Sequence, residues 1–545
     1  MLGLMMDKPL LISDLIARAE RHHGDTQVVS RDWQGRVERH DYASIHERAR
    51  HLGDALIKRG VVAGDRIATL AWNGHRHLEC YYAISGIGAV THTVNPRLFP
   101  EQISWIVNDA QDAILFFDPS LTELMDRLHG EFGRVRQFVF MGDARALAEA
   151  SPGFECLCYE DLIAEGEPLH EWPTLDERTA SGLCYTSGTT GNPKGVLYHH
   201  RSTVLHALLT SMPDMMNLSA RDVVMPVVPM FHVNAWGLPY SCVLSGAKLV
   251  LPGPKLDGQS LFELFESEQV TLSAGVPTVW LGLLEFMESG GKHFSRPPRL
   301  VIGGSACPPA MIHRFRDHGV QVLHAWGMTE MSPIGSVCTL KGKHADLSED
   351  AQLRILEKAG RPHFGVEMKI VDGEGSELPR DGSAFGDLHV RGLCVLSEYY
   401  KGAGGDPLKD GWFPTGDVAT IDRDGYIQIT DRSKDVIKSG GEWISSIDLE
   451  NIAITHPDIV EAAAIGVAHR KWGERPVVLA VRKPGAKVTE RELQDFYSGK
   501  VARFWMPDAI RFVDELPHTA TGKLSKLILR QKYKDLCLDE DGGRQ

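Results

Sequence analysis

A chain of 545 residues is longer than a single hydrophobic core grows, so two or more domains are expected, and 43% hydrophobic with 24% charged residues suits a globular protein. Lys and Arg total 58 against 72 Asp and Glu, a formal net charge of −14 that excludes a broad nucleic-acid face and leaves only local anion sites. Nine cysteines, odd in number and without Cys-x-x-Cys spacing, fit a reducing compartment, and no apolar run reaches the roughly 18 residues of a membrane span, so a cytoplasmic protein is expected.

In chain order, "SIHERARHLGDALIKRG" has helical periodicity, "DRIATLAW" reads as a strand, and "HLECYYAISGIGAVTHTV" as a helix followed by a strand. "AKLVL", "LFELFESEQVTLSAG" and "RLVIGG" continue the alternation, which predicts an α/β protein with doubly wound parallel sheets. From about residue 366 the texture changes. Asp-Gly and Glu-Gly turns separate alternating strands, predicting a small β-rich, antiparallel or barrel-like subdomain. After residue 434, "IVEAAAIGVAHR", "RPVVLAVRK" and "TERELQDFYSGKV" predict a small α+β domain with its own core.

"YTSGTTGNPKG", residues 185–195, holds three glycines, four Ser or Thr hydroxyl side chains and Lys194. Glycines let backbone N–H groups approach a ligand, hydroxyls add donors and lysine adds a point charge, so a polyphosphate fits. The spacing is not that of the phosphate loop of kinases and GTPases, and no strand-linked Gly-x-Gly-x-x-Gly occurs for a dinucleotide. A flexible Ser/Gly linker has similar composition, but Asn192-Pro193 stiffens the tip. Further on, Gly303 and Gly304 close a predicted strand, where ligands of α/β sheets sit. Trp326 offers a flat face for a base, Glu330 a hard carboxylate for Mg²⁺, and Asp417 two acceptors for ribose hydroxyls.

In their order along the chain, the stretches near 185, 303, 326, 411, 431 and 517 resemble the core motifs of the adenylate-forming superfamily. That superfamily holds acyl-CoA synthetases, firefly luciferase and nonribosomal adenylation domains. "FHVNAW" and "DRSKDVIKSGGEWISS" look most like medium- and long-chain fatty acyl-CoA synthetases and the bacterial 3-methylmercaptopropionate-CoA ligases. The resemblance implies an N-terminal adenylation domain over residues 1–433 and a mobile C-terminal domain over 434–545, hinged near Lys434.

The implied substrates are ATP, coenzyme A and a carboxylic acid, either 3-methylmercaptopropionate or a short- or medium-chain fatty acid. Mg²⁺ is the implied metal, held by Thr186 and Glu330, and a homodimer is the family-level expectation. Ser187, Gly188, Thr189, Thr190, Gly191 and Lys194 would hold the departing pyrophosphate. Gly303, Gly304, Ser305, Ala325, Trp326, Gly327, Met328 and Thr329 would hold the nucleotide, with Asp417 and Arg432 at its ribose. Lys523 would bridge carboxylate and α-phosphate, and His232 would stand beside the carboxylate as a further catalytic residue. Lys434, Lys438, Gly440, Gly441, Glu442 and Trp443 belong to the hinge and the pantetheine channel. The acyl pocket would be walled by His232, Val233, Trp236, Gly303, Trp326 and Pro333. Many relatives carry Tyr in place of Trp326 and Glu in place of Asp448; the indole keeps the stacking surface and lacks the hydroxyl. Two alternatives share these motifs: an acyl-AMP ligase that loads a carrier protein, and a non-catalytic adenylate-binding protein.

Overall fold

The structure is a computed structural model that describes residues 1, 3–186, 192–439, 442–518, 524–534 and 536. Its two large sheets include the strands read above in "DRIATLAW", "AKLVL" and "RLVIGG". A seven-stranded sheet places Arg66–Leu70 at its centre. Parallel to it, on one side, lie Ile114–Phe117, Gln137–Phe140 and Leu157–Cys158; on the other lie Val90–Thr93 and Ala180–Tyr185. Gly195–His199 closes that edge antiparallel to Ala180–Tyr185.

The nine-stranded sheet runs parallel from Gln321–Gly327 through Arg299–Ile302, Leu272–Gly275, Val223–Pro226 and Lys248–Leu251 to Gln27–Arg31, and its outer strands are antiparallel. Strands such as Ile114–Phe117 and Leu272–Gly275 are buried at every position. That is the pattern of a parallel sheet covered on both faces, and it explains why these strands read as continuous apolar runs.

The helix Tyr42–Lys58 shows how local sequence fixes an element. Asp41 accepts from the backbone of Ser44 at 2.8 Å and Ser44 Oγ accepts from the backbone of Asp41 at 3.0 Å, a reciprocal cap. Tyr42, Ile45, Ala49, Leu52 and Leu56, spaced three and four apart, then bury one face. Against that face pack Tyr81, Tyr82 and Ile84, all fully buried.

Val366–Val371, Phe385–Gly392, Phe413–Ile421 and Ile427–Arg432 form a four-stranded antiparallel sheet, the β-rich unit expected from residue 366. From Ile437 onward a five-stranded sheet carries the helices Ser446–Ile454 and Lys526–Lys532. It has separate cores around Leu449, Ala464 and Tyr497 on one face and Ile465, Leu479 and Leu529 on the other. Among the described residues no helix is long and apolar enough to cross a membrane, and the eight described cysteines are all unpaired.

Four buried histidines make stability depend on acid. Burial, the first cause in each case, pushes His77, His200 and His363 down to about 4 and His206 to about 3. His206 Nε2 accepts from the backbone of Ile334 at 3.0 Å and so must stay unprotonated on that nitrogen. The unfolded chain binds these protons near pH 6.5, so their contribution is complete above 6.5 and is lost as pH falls toward 4. Urea denaturation at pH 7.5, 6 and 5 should give falling stability, with each histidine costing up to about 1.4 kcal/mol per pH unit. A flat profile across that window would refute it.

Candidate active site

The segment 186–194 joins two antiparallel paired strands, Ala180–Tyr185 and Gly195–His199, so a strand and not a helix follows it. This geometry agrees with a spacing that fails the phosphate-loop pattern. Its base is tied by the backbone of Thr186 donating to the carbonyl of Lys194 at 2.9 Å and by Lys194 N–H donating to Thr186 Oγ1 at 3.3 Å. The Lys194 ammonium stands 4.8 Å above the ring of Tyr399. Tyr399 Oη in turn donates to Glu330 Oε1 at 2.8 Å, so one tyrosine connects Lys194 to the carboxylate. Tyr198, on the returning strand, donates to the carbonyl of Thr329 at 2.7 Å and anchors the turn that carries Glu330. Glu330 itself is buried.

Three parallel strands, Val223–Pro226, Leu272–Gly275 and Arg299–Ile302, end around a pocket of about 540 Å³ of empty space, part of it open to solvent. Its walls include Val228, Phe231, His232, Trp236, Val276 and Gly304. A cleft at the carboxyl ends of parallel strands is where α/β folds place ligands. His232, Trp236 and Gly304 among the expected residues therefore meet in one cavity. Val233, Gly303, Trp326 and Pro333 do not line it. Val233 is buried with Cys184, Val196 and Tyr198, and Trp326 with Met331 and Phe413. A side chain on Gly303 would meet the carbonyl of Ala325 at 2.6 Å, so this glycine lets two neighbouring strands close up. The buried Pro333 carbonyl accepts from the backbone of Met328 at 3.0 Å, and beside it Gly327 has no room for a side chain.

The wall carrying His232 and Trp236 is unusual backbone. Val233, Asn234, Ala235 and Trp236 have φ of 45°, 52°, 48° and 56°, and Gly237 follows at 79°. Left-handed conformation costs about 1–2 kcal/mol for each non-glycine residue, more for a β-branched one, so this turn persists because its surroundings hold it. Asn73 is the main clamp: its amide nitrogen donates to the carbonyls of Pro226 at 2.8 Å and Val228 at 3.0 Å, and its oxygen accepts from the backbone of Met230 at 2.7 Å. Tyr81 Oη reaches both the Met230 carbonyl and Asn234 Oδ1. Asn73→Ala orphans three buried backbone groups, each worth about 1–3 kcal/mol, so a loss of about 3 kcal/mol or more is expected in urea titration. An Asn73→Ala protein within 1 kcal/mol of wild type would show, by the same principle, that the clamp is dispensable.

Trp326 and Asp417 lie 91 residues apart and are joined directly, the indole Nε1 donating to Asp417 Oδ2 at 2.9 Å. Arg432 Nε approaches the other carboxylate oxygen at 2.8 Å. Asp417 is buried and Arg432 exposed, so the pair presents a charged rim beside the buried tryptophan. Ala325 and Thr329 are buried on the same strand and turn, Gly327 and Met328 half-buried, and Ser305 exposed after the Gly303–Gly304 strand end. Lys434 and Lys438 are exposed on the segment that leads into the last sheet. Residues 187–191, Gly440, Gly441 and Lys523 lie outside the described residues, as do the side chains of Glu442 and Trp443. Sequence reasoning missed Tyr399, Tyr198, Asn73, Tyr81 and Val276, isolated side chains whose partners are brought to them only by the fold.

The profile of the AMP-binding enzyme family matches residues 15–400, and that of the AMP-binding enzyme C-terminal domain matches residues 448–523. The chain belongs to the AMP-binding enzyme family. Among AMP-binding enzymes, a medium-chain-fatty-acid–CoA ligase of Ectopseudomonas oleovorans is 52% identical over 540 residues, covering 99% of this chain and 98% of its own. A 3-methylmercaptopropionyl-CoA ligase of Ruegeria lacuscaerulensis is 54% identical over 537 residues, covering 98% and 99%. Of solved structures, ATP-bound MatB from Rhodopseudomonas palustris superposes with a TM-score of 0.80 at 25% identity, covering 96% of this chain and 99% of that one. The anthranilate CoA ligase AuaEII in complex with anthranoyl-AMP shares the fold, with a TM-score of 0.86 at 24% identity over 97% and 98%.

Proposed function

We propose that this AMP-binding enzyme activates a short- or medium-chain carboxylic acid, 3-methylmercaptopropionate or a fatty acid of similar length, in two steps over one acyl carbonyl. It is an AMP-forming acid–thiol ligase: carboxylate and ATP give acyl-AMP and pyrophosphate, and the thiol of coenzyme A then displaces AMP. The observation that carries the reading is the meeting of an apolar pocket, walled by His232 and Trp236, with the glycine-rich strand end at Gly304. Identity above half to a medium-chain-fatty-acid–CoA ligase and a 3-methylmercaptopropionyl-CoA ligase supports the same acid class.

Two anions must meet in the first step, so the site has to cancel their repulsion before it can orient an in-line displacement. Lys194, stacked over Tyr399, suits the β- and γ-phosphates, and Lys523 suits the charge that builds between carboxylate and α-phosphate. A hard carboxylate that is buried and accepts from the Tyr399 hydroxyl, as Glu330 does, fits an oxygen-seeking cation, and Thr186 with Glu330 would hold Mg²⁺. When bound, that ion supplies charge neutralisation on the phosphates. Trp326 and Gly303 to Ser305 suit the adenine end, and Asp417 with Arg432 suits the ribose. Trp236, Val276 and Val228 exclude water from the acyl chain. A methylene in such a pocket discriminates by only about 1–3 kcal/mol, so several chain lengths are accepted.

The second step needs a narrow thiol channel where the first needed a lysine. The domain that starts at residue 434 is the part we assign to the exchange, with Lys434 as the hinge and Gly440 and Gly441 beside the channel. Pyrophosphate release over short, medium, sulfur-containing and aromatic acids, with and without coenzyme A, tests the reading. Release should be strongest with 3-methylmercaptopropionate or acids of about four to eight carbons, chain lengths that lie within a few methylene increments of one another. Thioester should form with free coenzyme A. Pyrophosphate release without thioester would assign the enzyme to carrier-protein loading, and no release would leave a nucleotide-binding protein.

A further inference from the structure

Far along the sequence from the segment 186–194 and the pocket, the outermost strand of the nine-stranded sheet carries a second concentration of chemistry. Among the described residues Val37–Asp41 pairs only with Gln27–Arg31, with Ser30 opposite Glu38 and Val28 opposite His40. Glu38 and His40 are two apart and therefore share a face. His75 opens the helix His75–Gly86, and its backbone N–H donates to Ser30 Oγ at 3.1 Å, which pins the start of that helix over the same face.

The three side chains converge. The rings of His40 and His75 stack with centroids 4.1 Å apart, and Glu38 Oε2 lies 3.7 Å from Nε2 of each. One donor atom from each residue lies within 4.8 Å of the other two. At 3.7 Å neither nitrogen makes a hydrogen bond to the carboxylate, and both Nε2 atoms are buried without a hydrogen-bond partner among the described residues. His75 is 3% exposed, so its orphaned nitrogen is a group that a folded chain ordinarily satisfies.

The nearby cations do not fill this place, because each is paired elsewhere. Arg36 binds Asp32, Arg76 binds Glu160, and Arg48 binds Glu79 and Glu160.

We propose that Glu38, His40 and His75 form a binding site for a divalent transition ion of the zinc class, separate from the nucleotide site, which ties the edge strand Val37–Asp41 to the helix His75–Gly86. Two imidazoles and one carboxylate are the borderline donors such ions prefer over Mg²⁺. The 3.7 Å separations from the carboxylate are a few tenths of an ångström wider than the edge of about 3.3 Å expected for donors about 2.05 Å from a tetrahedral ion, and the two stacked imidazoles, whose donor atoms lie within 4.8 Å, would turn out of their stack to aim both nitrogens at it. His75 also borders a cleft lined by Ser30, Trp33, Trp72 and Asp118, which supplies a path for the ion and a water for the open position. Two residues before His75, Asn73 holds the wall of the acyl pocket, so the ion would stiffen the segment from which that clamp projects.

The test uses the untagged full-length protein, stripped with chelator and titrated with Co²⁺ in the absence of nucleotide. The expected result is saturation at one equivalent, with visible bands of nitrogen and oxygen ligation and no near-ultraviolet thiolate band. Zn²⁺ should displace the Co²⁺ and raise the melting temperature. His40→Gln, on the partly exposed ring, and Glu38→Gln should each weaken uptake at least tenfold, while the exposed control His170→Gln leaves it unchanged. His75→Gln should do the same, and its circular dichroism reports whether it folds. No saturable uptake, uptake through thiolates, or uptake that survives both His40→Gln and Glu38→Gln would overturn the assignment.

Discussion

Lys523→Ala should lower adenylate formation, read as pyrophosphate release from ATP and acid, by at least about a hundredfold. The same variant, given preformed acyl adenylate and coenzyme A, should make thioester at the wild-type rate. The asymmetry follows from the charge inventory of the two steps. In the first, negative charge gathers between two anions and a cation placed there stabilises it only in the transition state. In the second, a thiol attacks an anhydride whose leaving group is already bound, and a lysine in the channel would obstruct it. If Lys523→Ala slowed both half-reactions alike, one rigid site would serve both and the exchange about Lys434 would be wrong.

Lys526→Met should destabilise the unit beyond Ile437 by about 3–5 kcal/mol. Lys526 Nζ lies 2.7 Å from Glu450 Oε1 and donates to Ser446 Oγ, and both ends of the ion pair are nearly buried. Burial pushes the Glu450 carboxyl up and the Lys526 ammonium beside it pulls it back down. Asp431, also buried, accepts from the backbone of Ser446 at 2.6 Å and from its hydroxyl at 2.9 Å, so the same cluster fastens the last strand of the four-stranded sheet to the following helix. Deleting the lysine strands two carboxylates in a low-dielectric place. The double variant Glu450→Leu/Lys526→Met removes the strongest of those penalties and should recover most of the loss, because a buried pair is costly to break and cheap to replace. Urea titration followed by circular dichroism reads both; equal losses in the single and double variants would show that Glu450 is not the stranded charge.

Much of the architecture was legible in the chain. Apolar runs such as "AKLVL" announced strands of a parallel sheet, and the change to Asp-Gly turns after residue 366 announced the antiparallel sheet. Gly304 at the end of "RLVIGG" could be placed at a strand end because strand termini in α/β sheets are where ligands enter. The rest depended on contacts that no local pattern encodes. The left-handed turn at Val233–Trp236 has a β-branched residue where local preference disfavours one, and distant groups such as Asn73 and Tyr81 help make it tenable. Val233 faced away from the pocket for the same reason: in that turn, successive side chains do not follow helix or strand periodicity. Tyr399 carries no motif, and its place between Lys194 and Glu330 is a product of the third dimension.

The most direct test of the central claim is a rapid-quench turnover with α-labelled ATP and excess acid, first without coenzyme A and then with a coenzyme A chase. The account predicts a burst of enzyme-bound acyl-AMP equal to the enzyme present, with pyrophosphate released alongside it and the chase converting the adenylate to thioester and AMP. Label recovered as ADP, or thioester formed without an adenylate that the chase consumes, would contradict it.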